Sequence, residues 1–367
     1  LAKKSGKMET VVSLEQLRDS YGGKKVFLTG HTGFKGAWLM ACLHLAGAEV
    51  KGYALPPDDD HGIFSQLGPL SGVTSILADI RDRETVEREL RIFRPDYVFH
   101  LAAQPLVRRS YEIPAETFDI NVTGTANLLE AVSRLTGPCS IIVITTDKVY
   151  ENSETDVLYR ETDMLGGYDP YSASKACTEL VVSSFRRSFF HPDARGIHQK
   201  AIASVRAGNV IGGGDWNRDR IVPDIVRSLQ AGRPVEIRNP ASIRPWQHVL
   251  EPIAGYLRLG TLLSRDPRYG KAYNIGPLPG DHLTVKELVE TAIGVWGEGS
   301  WLDGSMQGAP HEAGLLKLDI TRAGQELQWK PKLNAREAVR WALEWYRQPR
   351  AAQAAFTFQQ IKTYFSA

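Results

Sequence analysis

The sequence predicts an α/β protein, a doubly wound parallel sheet joined to a smaller α+β C-terminal lobe. Three observations predict it. Strand-like and helix-like segments alternate from residue 25 to residue 205. The strands are near-continuous apolar runs, as in Ile141-Ile142-Val143-Ile144, which suits a sheet covered on both faces. Glycines 30, 33 and 36 stand between the first strand and the first helix, where a Rossmann sheet turns its chain toward a pyrophosphate.

The elements follow in order. Residues 25–29 form a short β-rich run that enters Gly30-His31-Thr32-Gly33-Phe34-Lys35-Gly36. A helical pattern follows, with Trp38, Leu39, Cys42, Leu43 and Leu45 on its apolar positions and Gly47 as its stop. Further strands are expected at 49–54, 73–77, 97–101, 140–145 and 200–205, with helices between them. After Arg206 comes a glycine-rich, charged stretch from Gly212 to Arg220, of the kind that contacts a ligand. A helix at 223–231, a strand at 235–237 and the segment Arg244-Pro245-Trp246-Gln247-His248-Val249 follow, with His248 read as a strand residue rather than a catalyst. A strand ends in Tyr273-Asn274-Ile275-Gly276, Thr284 is placed as a helix N-cap, and Trp341, Leu343 and Trp345 lie in a closing helix. The simplest division puts 15–205 and 240–275 in the dinucleotide domain and 206–239 and 276–350 in the smaller lobe.

Composition narrows the function. Of 367 residues 43% are hydrophobic, and 44 Lys plus Arg stand against 42 Asp plus Glu. A net charge of +2 creates no field that would recruit nucleic acid or an anionic membrane, so phosphate recognition has to be local. Cys42, Cys139 and Cys177 are widely spaced and imply neither a disulfide framework nor a metal site. No apolar run reaches the roughly 18 residues of a membrane span, residues 1–10 are polar rather than signal-like, and a cytoplasmic setting is expected.

Three motifs carry chemistry. The glycine triplet lets backbone approach a pyrophosphate whose charge meets the amides and positive end of the helix. His31 and Lys35 add bulk and a cation there, and Phe34 belongs to the same turn. The second strand ends without a carboxylate for ribose hydroxyls; Asp58, Asp59 and Asp60 come later and read as a solvated acidic loop. The absence of an arginine there favours NAD over NADP, and Asp79-Ile80 is the candidate for the adenine edge. The second motif is Tyr171 with Lys175: at a spacing of four, phenol and ammonium share a helix face, and the cation stabilises the phenolate. Moving a tyrosine from 10 to near 7 needs about 4 kcal/mol. The third, Thr145-Thr146-Asp147-Lys148, closes the most hydrophobic strand on the edge where open parallel sheets bind ligands.

Taken together, Gly30 to Gly36, Thr146-Asp147, Tyr171 with Lys175 and Tyr273 to Gly276 resemble the extended short-chain dehydrogenase/reductase family over most of the chain. The wording Gly-His-Thr-Gly-Phe-Lys-Gly, Thr-Thr-Asp-Lys-Val-Tyr, Gly-Gly-Gly-Asp-Trp and Arg-Pro-Trp-Gln-His-Val is similar to its nucleotide-sugar 4,6-dehydratases. That resemblance implies NAD as cofactor and CDP-glucose as substrate, in the making of deoxysugars for bacterial O-antigen. Oxidation at C4, loss of water across C5 and C6 and hydride return to C6 would follow one another. Tyr171, Lys175 and Thr146 would act at O4, with Lys148 as base at C5 and Asp147 as acid at O6, or the reverse. Lys148 must be neutral for that role, which desolvation and Lys175 favour and Asp147 opposes. Asn209, Arg220 and Arg244 are placed at the diphosphate or ribose, Trp216 over the nucleotide, and Gln104 at the sugar. A homodimer or higher homo-oligomer is also implied, through the helices starting near Pro114 and carrying Tyr171. The rivals are a 4-epimerase, a dehydratase for dTDP-, UDP- or GDP-sugars, and a non-catalytic NAD-binding regulator; the Asp-Lys pair argues for dehydration.

Overall fold

The computed structural model describes residues 12–58, 60–305 and 316–366, so the polar start and Asp59 lie outside the described residues. Seven strands form one sheet: β1 (Lys25–Thr29), β2 (Glu49–Ala54), β3 (Val73–Leu77), β4 (Tyr97–His100), β5 (Cys139–Ile144), β6 (Lys200–Ala207) and β7 (Ala272–Ile275). All neighbours are parallel, in the order β7-β6-β5-β4-β1-β2-β3. The chain winds outward from β1 to β3, then returns to start again at β4 on the other side of β1. The reversal opens a crevice at the carboxyl ends of β1 and β4, where such sheets bind ligands.

The apolar runs explain which strands are central. Every residue of β4, β5 and β6 is buried, whereas the edge strand β3 leaves Leu77 exposed. One face packs on Leu17, Trp38, Leu39, Leu43, Ile253 and Leu257, and the other on Val86, Leu90, Leu128 and Val132. Each such side chain stabilises by about 1.5–3 kcal/mol on burial. Trp38, in the helix Phe34–Leu45, also donates its indole N–H to the Gly213 carbonyl at 2.9 Å, which ties the first helix to the glycine-rich loop.

Short ribbons bring the later segments onto the same sheet edge. Val210–Ile211 pairs with Gln247–His248, Ile243–Arg244 with Leu283–Thr284, and Leu158–Tyr159 with Lys317–Leu318. His248 is a buried strand residue held edge-on between Trp38 and Trp341. Thr284 caps the helix Val285–Trp296 through a reciprocal box with Glu287. Three elements differ from expectation. The helix expected at 223 starts at Ile221, because Pro223 falls in a first turn whose N–H groups need no intrahelical partner. A π-helical turn, Asp119–Thr123, interrupts the helical run after Pro114. A final helix, Arg350–Ser366, follows the expected closing helix Ala335–Tyr346. Among the described residues no helix is long and apolar enough to cross a membrane.

Candidate active site

The crevice is shaped first by what its glycines lack. Gly30 has φ +75°, and a β-carbon there would meet the Ala102 backbone nitrogen at 2.7 Å. At Gly36 a β-carbon would overlap the Gly30 carbonyl, and Gly33 is the bare N-cap of the helix Phe34–Leu45. Backbone, helix terminus and crevice thus form a cradle that fits a dinucleotide pyrophosphate. Phe34 closes one side against Gly212.

His31 and Lys35 do not sit as their positions in the motif suggest. His31 is fully buried; its ring lies on Gly52, and Nε2 pairs with Ser75 Oγ at 2.6 Å. Burial holds it neutral, with a pKa down to about 4, so the imidazole packs under β2 and β3. Lys35 is half-buried, with its amine in the field of Arg220, Asp147 and Asp215; burial, then Arg220, lowers its pKa to about 8. The Asp79 carboxylate is chelated by Arg81 at 2.7 Å, while the Ile80 side chain packs on Gly124. Asp58 and Asp60 remain on an exposed loop.

Tyr171 and Lys175 project from the helix Pro170–Ser188, which Asp169 caps by accepting from the Ser172 backbone. The expected depression of the phenol is absent in the chain by itself. Burial raises Tyr171 to about 12, outweighing the Thr146 hydroxyl and Arg220, which pull it down. Lys175 is lowered to about 7 by burial and by Lys35, against Glu179, and its amine donates to the Ile144 carbonyl at 3.0 Å.

Facing this helix, the end of β5 turns through a single 3-10 turn, Asp147–Val149. Thr146 Oγ donates to Asp147 Oδ1 at 2.9 Å, and Asp147 Oδ2 is buried without a partner. Lys148 is half-buried beside it. Under the turn, Glu179 accepts from Thr145 at 2.6 Å, Ser204 at 2.8 Å and Arg206 at 2.9 Å. Asn121, in the π-helical turn, donates to Ser174 Oγ at 2.8 Å and accepts from the Gln104 backbone at 2.8 Å, fixing the loop after β4 against the tyrosine helix.

Among the residues expected at the nucleotide, Arg220 lies close enough to bias both Tyr171 and Lys35. Arg244 stands on its short strand with one N–H on the Ile243 carbonyl, and Asn209 sits half-buried just past β6. Trp216 packs against His61, Tyr346 and the Arg227 guanidinium. Gln104 gives both amide hydrogens to the Leu106 carbonyl and Thr117 and accepts from the Leu106 N–H, leaving one acceptor lone pair uncommitted.

Sequence reasoning missed Glu179, Arg206, Asn121 and Gly208. Glu179 carried a signal, since it is one helical turn beyond Lys175 on the same face. Gly208 carried none: a β-carbon there would sit 3.2 Å from Asp147 Oδ2 and 3.3 Å from Pro245.

Residues 27–341 match the family described as GDP-mannose 4,6 dehydratase. The CDP-glucose 4,6-dehydratase of Salmonella typhimurium is 46% identical over 333 residues, 90% of this chain and 92% of that protein. The dTDP-glucose 4,6-dehydratase of Streptomyces antibioticus is 29% identical, over 79% of this chain and 81% of its own. Among solved structures, a double mutant of the dTDP-glucose 4,6-dehydratase of Streptomyces venezuelae, with NAD bound, superposes with a TM-score of 0.74 at 24% identity. That superposition covers 90% of this chain and 99% of the other.

Proposed function

Because the chain belongs to the GDP-mannose 4,6-dehydratase family, within the extended short-chain dehydrogenases/reductases, we propose that it is an NAD-dependent lyase that converts CDP-glucose to CDP-4-keto-6-deoxyglucose. The observation that carries this reading is the buried Asp147 carboxylate with an unpartnered oxygen, beside Lys148 and opposite Tyr171. An epimerase needs the tyrosine but has no task for that acid. CDP as the nucleotide is supported by the 46% identity to the Salmonella enzyme.

The glycine cradle and the helix N-terminus would hold the NAD pyrophosphate, with Phe34 beside it. When bound, NAD supplies the acceptor for the hydride leaving C4 and the donor for its return to C6. The side chains manage protons. Tyr171 takes the O4 proton, with Lys175 beside it. Lys148 takes the C5 proton, made acidic by the new ketone, and Asp147 protonates O6 so that it leaves as water. Asn209, Arg220 and Arg244 bind the diphosphate and ribose, and the half-buried Trp216, edge-on to Tyr346, shapes the wall of the nucleotide site. Deoxysugar supply for O-antigen-type polysaccharide goes with this chemistry, and a cytoplasmic setting is supported by three free cysteines.

Assembly as a homodimer is supported by the tyrosine helix, which exposes Leu180, with Phe189 exposed at its C-cap. Sedimentation that returned only monomer would remove it. The activity is tested by incubating the protein with NAD and each diphosphoglucose in turn and reading the alkali-induced absorbance of a 4-keto sugar. A signal with CDP-glucose is expected; none with any of them would end the reading. Lys148→Met should abolish solvent-deuterium exchange at C5, and normal exchange would move the base role elsewhere.

A further inference from the structure

A single 3-10 turn carries Asp147 and Lys148, and one such turn, with its poor hydrogen-bond geometry, does not hold its own shape. Its two ends are held from outside by the same guanidinium. Before the turn, Thr145 Oγ donates to Glu179 Oε1 at 2.6 Å, and Glu179 Oε2 accepts from Arg206 Nη2 at 2.9 Å. After it, Tyr150 Oη accepts from Arg206 Nη1 at 2.9 Å. The backbone from 145 to 150 and the side chains of Tyr150, Arg206, Glu179 and Thr145 thus close a ring, a clip across the turn. Each of these four residues is 4% exposed or less, so the ring closes away from bulk water.

Tyr150 is the link on the far side of the turn, two residues beyond Lys148 and three beyond Asp147. Its ring stacks on Tyr159 with centroids 5.3 Å apart, and the Arg206 guanidinium lies over its face. Its hydroxyl donates to Asn274 Oδ1 at 2.6 Å, and the Asn274 amide donates in turn to the Tyr159 and Asp319 carbonyls at 2.8 and 3.1 Å. One phenol therefore fixes the end of the turn to β6 through Arg206 and to β7 through Asn274. Tyr171 and Lys175 are placed differently, by their own helix with its Asp169 cap.

We propose that Tyr150 is a positioning residue for the elimination half of the reaction: its hydroxyl closes the clip that holds Lys148 at C5 and Asp147 at O6, whereas oxidation at C4, carried by Tyr171, does not need it. The proposal rests on the dehydratase reading. It separates the two halves of the chemistry by the elements that carry them, the tyrosine helix for the first and the clipped turn for the second.

The test is Tyr150→Phe, which keeps the stacked ring and the Glu179–Arg206 pair and removes only the oxygen that joins Arg206 to Asn274. A small misplacement of reacting groups costs about 100-fold, so kcat for CDP-glucose should fall by about that factor while KM stays within about threefold. Oxidation then outruns elimination: the near-ultraviolet absorbance of reduced nicotinamide should build up during turnover, and solvent deuterium should enter C5 slowly. A change that merely loosened the fold would slow both halves and give no such signal. Tyr150→Phe and Glu179→Gln open the same ring, so the double variant should lose less than the product of the single losses. In protein without NAD or sugar, amide exchange of residues 146–150 should quicken by about tenfold or more in Tyr150→Phe, with the helix Pro170–Ser188 unchanged. Equal slowing of oxidation and elimination, an unchanged kcat, fully multiplicative losses or an unaltered exchange rate would each overturn the proposal. If Tyr150→Phe does not fold, Arg206→Lys takes its place with the same expected absorbance, because an ammonium can pair with Glu179 but lacks the fork that also reaches Tyr150. Unmodified protein inert toward every diphosphoglucose would sink the dehydratase reading and the elimination role with it, while the exchange measurement would still decide whether Tyr150 holds the turn.

Discussion

Replacing Glu179 by Gln tests whether the floor under the Asp147–Val149 turn is held by charge. The side chains of Glu179 and Arg206 are 4% and 5% exposed and meet at 2.9 Å. Arg206 also donates to Tyr150 Oη at 2.9 Å and to the Glu161 carbonyl at 3.2 Å. Burial pushes the Glu179 pKa up, but Arg206 and the Thr145 and Ser204 hydroxyls outweigh it and hold it below the usual carboxylate range. Glutamine keeps the shape and most of the hydrogen-bonding capacity while leaving the guanidinium buried and uncompensated. Breaking a buried pair from one side costs about 3–5 kcal/mol, a large share of the 5–15 kcal/mol typical of a folded protein. Urea unfolding of Glu179→Gln, Arg206→Met and the double variant should show the double variant recovering a substantial part of that loss. Since the native carboxyl is depressed, the contribution should be full above pH of about 4.5 and disappear as the pH falls through the native value. Thr145 adjoins Thr146, so kcat should fall more than KM rises. A loss below about 1 kcal/mol, the size of an exposed ion pair, or strictly additive single variants, would refute the reasoning.

Three further outcomes follow from the same geometry. Gly36→Ala forces a β-carbon into the Gly30 carbonyl; calorimetry should show NAD affinity reduced by at least about tenfold, or 1.4 kcal/mol, with CDP-glucose binding retained. Lys175 is lowered to about 7 in the native protein, so the unfolded chain binds the extra proton between that value and its ordinary pKa. Stability of the unmodified protein relative to Lys175→Met should therefore rise with pH across that window, by up to about 1.4 kcal/mol per unit; a flat difference would contradict the burial of that amine. Glu251 accepts from the Leu333 N–H at 2.8 Å, the Lys332 N–H at 3.0 Å and Tyr364 Oη at 2.8 Å, pinning the helix Arg350–Ser366. Glu251→Ala strands these donors at about 1–3 kcal/mol each, and hydrogen exchange should show that helix opening first.

The sheet was legible because its signals are local. Apolar runs, the glycine triplet and Thr284 declare strands, turn and cap to their own neighbours, and the seven strands lie where those signals place them, give or take two residues. Tyr171 with Lys175 was legible for the same reason, as two residues on one helix face. The π-helical turn at Asn121 was not, because its donors answer Ser174 and Gln104, far away in the chain.

The sequence alone therefore determined the doubly wound sheet, the cradle for a dinucleotide and the residue types available for proton transfer. Only the tertiary structure decided which charges those residues feel. It turned His31 inward onto Ser75, drew Lys35 toward Asp147 and Arg220, and set Glu179 and Arg206 beneath the turn. The physical reason is that hydrogen bonds and charges act through space. Spacing along the chain reports a helix face or a strand edge, whereas the environment of Asp147 is assembled from β5, the segment after β6 and the tyrosine helix, which meet only once the sheet has formed.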